Sequence, residues 1–194
     1  YVINDTGLSY ISSANEGDAL ATAAGSAIGG QRAVVMMQNS GLGNAVSPIT
    51  SLTWTFRIPL LLITTHRGAP GVSDEPQHEL MGQVTADLLQ TMRIPWSWFP
   101  DHEDVVEAAL RTALEHMDAN GTPYALIMKK GTVAPHALAD SRSFAKPGCS
   151  REDGADGEKR SRHDVLQDLV AGTATRDTVL IASTGFNGRE LYAI

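Results

Sequence analysis

Short apolar runs alternate with longer amphipathic stretches along the first two thirds of the chain, and this alternation limits the fold more than any other feature of the sequence. The apolar runs predict strands at residues 33–37, 59–65 and 123–129, and the continuous run at 33–37 is typical of a strand that is buried on both sides. A helical period between the runs predicts helices at residues 13–29, 44–53, 77–92 and 101–117. Because alternating strands and helices form a parallel sheet with helices on both faces, the sequence predicts an α/β fold.

The alternation stops near Gly131, and the domain organisation follows from this change. We predict a first α/β domain at residues 1–131 and a polar linker at residues 132–162, where charged, glycine and proline residues leave little apolar surface to bury. Residues 163–194 predict the start of a second α/β domain, with a helix at 163–170, a strand at 178–183 and then a glycine turn. Both ends of the chain look cut, so we expect a fragment.

Composition excludes several classes of function. The longest apolar runs are far shorter than the roughly 18 residues that a membrane-spanning helix needs. The net charge of -7 argues against nucleic acid as the main partner, since binding phosphates requires a basic face. The only cysteine, Cys149, excludes an internal disulfide framework and a cysteine zinc cluster, so a reducing cytoplasm is expected.

Glu16 has two interpretations. Ser13 and Glu16 have the spacing of a capping box, in which each side chain accepts a hydrogen bond from a backbone N–H at the helix start. The alternative is a catalytic carboxylate, because the alanine-rich helix that follows allows another segment to pack closely against its beginning. A carboxylate in such a tight apolar contact is expected to have a raised pKa.

Two polar loops follow predicted strands, at the sheet edge where open α/β folds bind ligands. The first loop contains Gln38, Asn39, Ser40, Gly41, Leu42 and Asn44. Its glycines allow close approach of a ligand to the backbone, but an ordinary strand-to-helix turn explains them equally well. The loop lacks the third glycine of a dinucleotide fingerprint and the Gly-Lys-Ser/Thr of a P-loop.

The second loop places His66, Arg67 and His78 near Asp74 and Glu75. In one interpretation the acids complement the dipole at a helix start and one of them pairs with Arg67. In the other, the two histidines and Arg67 form a cationic patch for a dianionic substrate group, for which the forked guanidinium is suited. A zinc site would need a third ligand, which the spacing does not supply.

Four segments together resemble the thiamine-diphosphate-dependent decarboxylases, in particular those that act on 3-phosphonopyruvate. They are SANEGDALATAAGSAIGG (13–30), MMQNSGLGNAVSPITSLTWTFRIPLLLIT (36–64), HRGAPGVSDEPQHELMG (66–82) and TGFNGRELYAI (184–194). The resemblance implies that the first domain binds the aminopyrimidine ring of the cofactor, and that it lacks the family's first strand and helix. It also implies a truncated second domain that would bind the diphosphate, with the Mg²⁺ ligands in the part absent from this chain.

The resemblance implies roles for individual residues. Glu16 stands where the family has the glutamate that activates the cofactor, by a hydrogen bond to a ring nitrogen of the aminopyrimidine. The first loop would contact the cofactor, the second would bind the substrate through His66, Arg67 and His78, and Gly185, Gly188 and Arg189 would lie on the diphosphate side. Active sites would lie between the subunits of a cytoplasmic homo-oligomer, either a dimer or a tetramer.

The activity implied is decarboxylation of 3-phosphonopyruvate to phosphonoacetaldehyde and carbon dioxide, in phosphonate biosynthesis. Decarboxylation of sulfopyruvate is the nearest alternative, because that 2-oxo acid also carries an anionic tail. A third possibility, from a different class, is a non-catalytic α/β module that binds anions through the same loops.

Overall fold

The computed structural model describes residues 2–137, 160–173, 177–182 and 186–194. The first of these ranges contains four helices and four strands, which alternate along most of it. The helices are α1 (Glu16–Ile28), α2 (Leu42–Pro48), α3 (Glu79–Thr91) and α4 (Val106–Asn120). The strands are β1 (Val34–Met37), β2 (Leu61–Thr65), β3 (Trp96–Trp98) and β4 (Tyr124–Met128).

The four strands form one parallel sheet in the order β1-β2-β4-β3. Leu62 of β2 lies beside Val35 of β1 on one side and beside Ala125 of β4 on the other. Because the strands are parallel, their carboxyl ends lie along one edge of the sheet, which we call the carboxyl edge. The loops that follow all four strands therefore begin at the same edge.

Helices cover both faces of the sheet. Leu20 of α1, Leu42 of α2 and Leu89 of α3 are fully buried in one apolar cluster with Leu62. Ala113 and Met117 of α4 pack with Leu61 and Leu126 in the second cluster. Successive side chains of a strand point to opposite faces, so the two clusters lie on opposite sides of the sheet. Each fully buried leucine contributes about 1.5–3 kcal/mol of transfer free energy. The predicted α/β fold with helices on both faces is confirmed.

Three details of the fold differ from expectation. β1 is not buried on both sides, because it is an edge strand of the sheet, and Val34 and Met36 are 53% and 56% exposed. β3 is a strand that was not predicted from the sequence. Residues 178–182, the described part of a predicted strand, form no strand.

Contacts divide the chain into two units, residues 1–142 and 143–194. The described part of the second unit contains helices α5 (Arg162–Thr173) and α6 (Phe186–Ala193). The Arg162 guanidinium joins the two helices, with Nε donating to Glu190 Oε2 at 2.9 Å. Among the described helices, none has both the length and the apolar character that crossing a bilayer requires.

Candidate active site

Glu16 is the first residue of α1, and its carboxylate is not part of the capping box that the sequence predicted. The expected capping box between Ser13 and Glu16 is wrong. Asn15 is the N-cap of α1, where its Oδ1 accepts a hydrogen bond from the Asp18 backbone N–H at 3.0 Å. The Asn15 amide donates in return to the Asp18 carboxylate at 2.9 Å. Asn15 and Asp18 thus form the reciprocal cap of α1, and the Glu16 carboxylate contacts a different segment of the chain.

That segment is the loop and helix that follow β1. Asn44, in the first turn of α2, donates through Nδ2 to Glu16 Oε2 at 2.9 Å. Gly41 lies on the other side of the carboxyl group, and a Cβ atom at position 41 would lie only 2.5 Å from Glu16 Oε1. The Glu16 carboxylate is thus held between an amide donor and a backbone that has no side chain.

The ionisation of Glu16 differs from the expectation as well. The hydrogen bond from Asn44, followed by one from the Glu16 backbone N–H, lowers the pKa of this carboxyl group below 4.5, and burial opposes this only in part. The expected raised pKa is therefore wrong for this arrangement. The cause is that the neighbours of the carboxylate are hydrogen-bond donors, which favour its charged form.

The other residues of the first loop are mainly engaged with the protein itself. Asn39 is fully buried, and its Nδ2 donates to the Arg67 carbonyl and to Thr85 Oγ1, each at 2.9 Å. Its Oδ1 accepts from the Arg67 N–H at 3.2 Å, so the amide ties the end of β1 to the end of β2 and to α3. Leu42 belongs to the apolar core, and Gln38 donates to Ser40 Oγ at 2.7 Å.

In the second loop, Arg67 forms an ion pair with Asp74. Arg67 Nε donates to Asp74 Oδ2 at 2.8 Å and Nη2 donates to Oδ1 at 2.5 Å, which is a forked, charge-assisted contact. The Gly68 and Glu75 backbone N–H groups also donate to this carboxylate, each at 2.8 Å. The guanidinium and these N–H groups hold the pKa of Asp74 well below its usual range. The pairing that the sequence left open between Asp74 and Glu75 is therefore with Asp74.

The two histidines of this loop make different contacts. His66 Nε2 forms a hydrogen bond with the Gly82 carbonyl at 2.9 Å, and its ring lies 5.3 Å from that of Trp98, between centroids. His78 is half-buried, and its backbone carbonyl lies against Gly68. Gly68 has a φ of +72°, a conformation that favours glycine. All three proposed substrate-binding residues therefore lie at the carboxyl edge, without direct side-chain contacts among them in the described structure.

Sequence analysis missed a third group of cations at the same edge. Lys129 and Lys130 directly follow β4, and Lys129 Nζ lies 4.4 Å from the centroid of the Trp98 ring. Lys130 Nζ donates to the Ser73 carbonyl at 3.4 Å. These residues line an open cleft of about 720 Å³ between the ends of β3 and β4 and the first turns of α4. The rule that drew attention to the first two loops, a polar segment just after a buried strand, applies equally here.

The diphosphate-side candidates lie in the second unit. Gly188 and Arg189 belong to α6, where the Arg189 guanidinium lies 5.9 Å from the centroid of the Phe186 ring. Gly185 lies outside the described residues. Within the described ranges, no group of three or more histidine, cysteine or acidic side chains is arranged to hold a metal ion.

These features describe an α/β domain whose carboxyl edge carries a carboxylate held by Asn44 and, in the segments after β2 and β4, several cations. No family model matches the chain. Phosphonopyruvate decarboxylase of Streptomyces viridochromogenes is 39% identical to it over 205 residues, which cover 100% of this chain and 49% of that protein. The enzyme of the same name from Streptomyces hygroscopicus is 36% identical, with 100% and 49% covered.

A shorter relative is also similar. Sulfopyruvate decarboxylase subunit alpha of Methanocaldococcus jannaschii is 32% identical over 124 residues, which cover 63% of this chain and 72% of that protein. These relatives are decarboxylases, and the chain spans about half the length of the two Streptomyces proteins. The chain belongs to the phosphonopyruvate decarboxylase family.

Proposed function

We propose that the whole protein decarboxylates 3-phosphonopyruvate to phosphonoacetaldehyde and carbon dioxide, with thiamine diphosphate and Mg²⁺ as cofactors. The similarity to two phosphonopyruvate decarboxylases over the full length of the chain supports this substrate. The observation that carries the proposal is the position of Glu16, whose carboxylate lies at the carboxyl edge between Asn44 and Gly41.

The residues of this edge fit the aminopyrimidine side of the cofactor. Glu16 is half-buried, and its carboxylate is ionised at neutral pH, as a glutamate whose pKa is not raised must be. It can therefore accept a hydrogen bond from a protonated ring nitrogen. Asn44 fixes one carboxylate oxygen, and the missing side chain at Gly41 leaves the carboxyl group room to lie against the loop. We assign Glu16 the role of holding and exchanging a proton with the ring, and Gln38, Ser40, Gly41 and Asn44 the role of lining its site.

When bound, thiamine diphosphate supplies the carbanion nucleophile and the electron sink that decarboxylation of a 2-oxo acid requires. We propose that His66, Arg67 and His78 orient the substrate, Arg67 through the guanidinium edge that faces away from Asp74. Asn39 has a supporting role, because its buried amide fixes the backbone of Arg67. No ligand of Mg²⁺ is assigned to the described residues, and Gly185, Gly188 and Arg189 remain proposed for the diphosphate side.

The proposal extends to assembly and setting. Active sites that combine two kinds of domain from different subunits require a homo-oligomer, a dimer or a tetramer, and we propose one in the cytoplasm, acting in phosphonate biosynthesis. The methanogen relative is itself described as a subunit, which is consistent with an oligomeric enzyme.

The test uses the full-length protein and the variant Glu16→Gln, which keeps the shape of the side chain and removes its charge. We expect thiamine diphosphate with Mg²⁺ to raise the melting temperature of the wild type, as a ligand of the native state does. We expect Glu16→Gln to lose decarboxylation by at least about a hundredfold, the lower limit of a general acid–base contribution. The matched control is Glu115→Gln, the same change at an exposed glutamate of α4.

A non-catalytic anion-binding module would behave differently. It predicts no stabilisation by the cofactor, no decarboxylation, and equal anion binding by the wild type and Glu16→Gln. That set of results would refute the enzyme.

Sulfopyruvate is the second candidate substrate, and the 32% identity to a sulfopyruvate decarboxylase alpha subunit is the observation that favours it. Both substrates are compared by kcat/KM with the same enzyme preparation. We expect phosphonopyruvate to have the higher value, and a higher value for sulfopyruvate would reverse the assignment.

A further inference from the structure

The charge at the carboxyl edge limits where a dianionic substrate tail can bind. Arg67 is the one arginine of the second loop, but its guanidinium already faces the Asp74 carboxylate through a forked contact. This pair has no net charge, and Glu75 lies beside it. A phosphonate or sulfonate group that moves from water into a binding site needs a cation that is not already paired with a carboxylate.

Lys129 and Lys130 supply such charge. In the described part of the chain, neither ammonium group forms an ion pair with a carboxylate. Lys129 lies over the face of Trp98, which holds its ammonium group at the mouth of the cleft through a cation–π contact. Lys130 is held toward the second loop by the Ser73 carbonyl, so the two charges lie between the ends of β3 and β4 and that loop.

The cleft is open to solvent and has room for a small molecule. Its volume of about 720 Å³ lies within the common range for ligand pockets. Trp98 and Phe99 supply an apolar wall, and Thr132 adds a hydroxyl group beside the lysines. Trp98 is itself fixed, because the ring of Trp96 meets it edge-on at 5.3 Å and His66 lies at the same distance.

We infer that this cleft binds the phosphonate or sulfonate tail of the 2-oxo acid, and that Lys129 and Lys130 are the residues that contact the tail and select for it. This inference rests on the proposed function for the nature of the substrate. In this assignment Arg67 neutralises less of the negative charge of the tail than the sequence suggested. Asp101 also lines the cleft and opposes the binding of an anion, although its side chain is 75% exposed.

The test measures binding of a substrate analogue that cannot react. Phosphonoacetate, which carries a phosphonate and a carboxylate, is titrated calorimetrically at low salt into the full-length protein loaded with thiamine diphosphate and Mg²⁺. The variants are Lys129→Met, Lys130→Met and the double variant, which keep the aliphatic length and remove the charge. The matched control is Arg32→Met, which removes one exposed cation at the opposite edge of the sheet, where Arg32 forms an ion pair with Asp118.

We expect each lysine variant to weaken phosphonoacetate binding about tenfold, as removal of a charged hydrogen-bond donor does. The double variant is expected to lose more, and binding by the wild type should weaken as salt is raised, because exposed charges are screened. Asp101→Asn should tighten binding, and Arg32→Met should leave it unchanged. In steady-state assays the lysine variants should raise KM for the substrate with little change in kcat.

The inference is overturned if the double lysine variant binds phosphonoacetate within twofold of the wild type, or if Arg32→Met weakens binding as much as the lysine variants do. The rise in melting temperature caused by the cofactor distinguishes failure of this inference from failure of the proposed function. A normal melting-temperature shift with thiamine diphosphate and unchanged anion binding would refute the lysine site alone, whereas absence of the shift in the wild type would refute the enzyme.

Discussion

Gly41 lies so close to Glu16 that no side chain fits between them: a Cβ atom at position 41 would lie 2.3 Å from Glu16 Cγ and 2.5 Å from its Oε1. The backbone of Gly41 is in the ordinary right-handed helical region, with φ −72° and ψ −14°, so the glycine is not required by the conformation of the chain. It is required by the neighbouring carboxyl group. The two residues are far apart in sequence, and the fold brings them together at the carboxyl edge.

This contact predicts the effect of Gly41→Ala. The added methyl group must push the Glu16 side chain away, because an alanine at this position suits the backbone but overlaps the carboxyl group. We expect decarboxylation by the full-length protein to fall by at least about tenfold, since a small misplacement of the carboxylate to which we assign the proton exchange is costly. The free energy of unfolding should change by less than about 1.5 kcal/mol, because Glu16 is only half-buried and can move toward solvent.

Gly43→Ala is the control for this prediction. A Cβ atom at position 43 would meet nothing within 4 Å, and the residue lies in the first turn of α2. We expect wild-type activity and equal or greater stability, by up to about 1 kcal/mol, because alanine favours helix. Equal activity of the two alanine variants would show that the position of Glu16 does not matter.

Asn44 is predicted to control the ionisation of Glu16. Its amide is the largest cause of the lowered pKa, so Asn44→Ala should raise the pKa of Glu16 toward its ordinary value of 4.5. In the wild type the hydrogen bond stabilises the fold above this value, and the contribution is lost as the pH falls through the lower pKa of the folded state. Carboxyl NMR titration of wild type and variant measures the shift directly.

Ser47→Ala is the matched change one turn further along the same helix, at an exposed side chain. It should leave the Glu16 titration where it is in the wild type. A Glu16 midpoint that is the same in Asn44→Ala and in the wild type would contradict the assigned cause.

The elements that the sequence predicted are those with a long pattern. α3 and α4 extend over several turns of helical period, and β4 is an unbroken apolar run, so each could be read from local sequence. β3 could not, because Trp96–Trp98 is only three residues long and becomes a strand by pairing with β4. The exposure of Val34 and Met36 likewise depends on the position of β1 at the edge of the sheet, which a run of apolar residues does not reveal.

The candidate site was predictable to a similar extent. Topology alone indicates that the loops after β1 and β2 share an edge, so Arg67 could be singled out, whereas Glu16 was singled out by its spacing from Ser13 and by the resemblance to the decarboxylases. The hydrogen-bond partner of Glu16 could not be predicted. Ser13 and Asn15 are both good N-cap residues, and whether Glu16 takes part in the cap depends on which of them is used. The contact of Lys129 with Trp98 depends on β3 and β4 being neighbours, which follows from the strand order and not from local sequence.

Asp74 is predicted to make the second loop sensitive to acid. Its pKa lies well below 3.8 because the Arg67 guanidinium and the Gly68 N–H favour the charged form. A lowered pKa means that the carboxylate stabilises the folded state above about 3.8 and loses this effect as the pH falls below it. Asp74→Asn should therefore have a lower melting temperature than the wild type at pH 7, and a smaller further decrease between pH 4 and pH 2.

Asp87→Asn is the control, since Asp87 is an exposed acid on α3. Its melting temperature should follow the wild-type curve throughout. Parallel curves for Asp74→Asn and the wild type would mean that the Arg67–Asp74 pair does not contribute to stability.

The close contact between Gly68 and Gly82 predicts the largest loss of stability. A Cβ atom at position 82 would lie 1.8 Å from the Gly68 carbonyl oxygen and 2.0 Å from its carbon, which are backbone atoms and cannot turn aside. Gly82→Ala must therefore separate α3 from the second loop, and we expect the free energy of unfolding in urea to fall by about 3 kcal/mol or more. Gly25→Ala, in the middle of α1 with nothing within 4 Å, should instead stabilise the protein by up to about 1 kcal/mol.

The Gly68 N–H also donates to Asp74, so moving Gly68 away from α3 should loosen the Arg67–Asp74 pair. We therefore expect a higher KM for the 2-oxo acid substrate in any Gly82→Ala protein that still folds. A Gly82→Ala variant with wild-type stability and KM would mean that this contact does not hold the loop that carries Arg67.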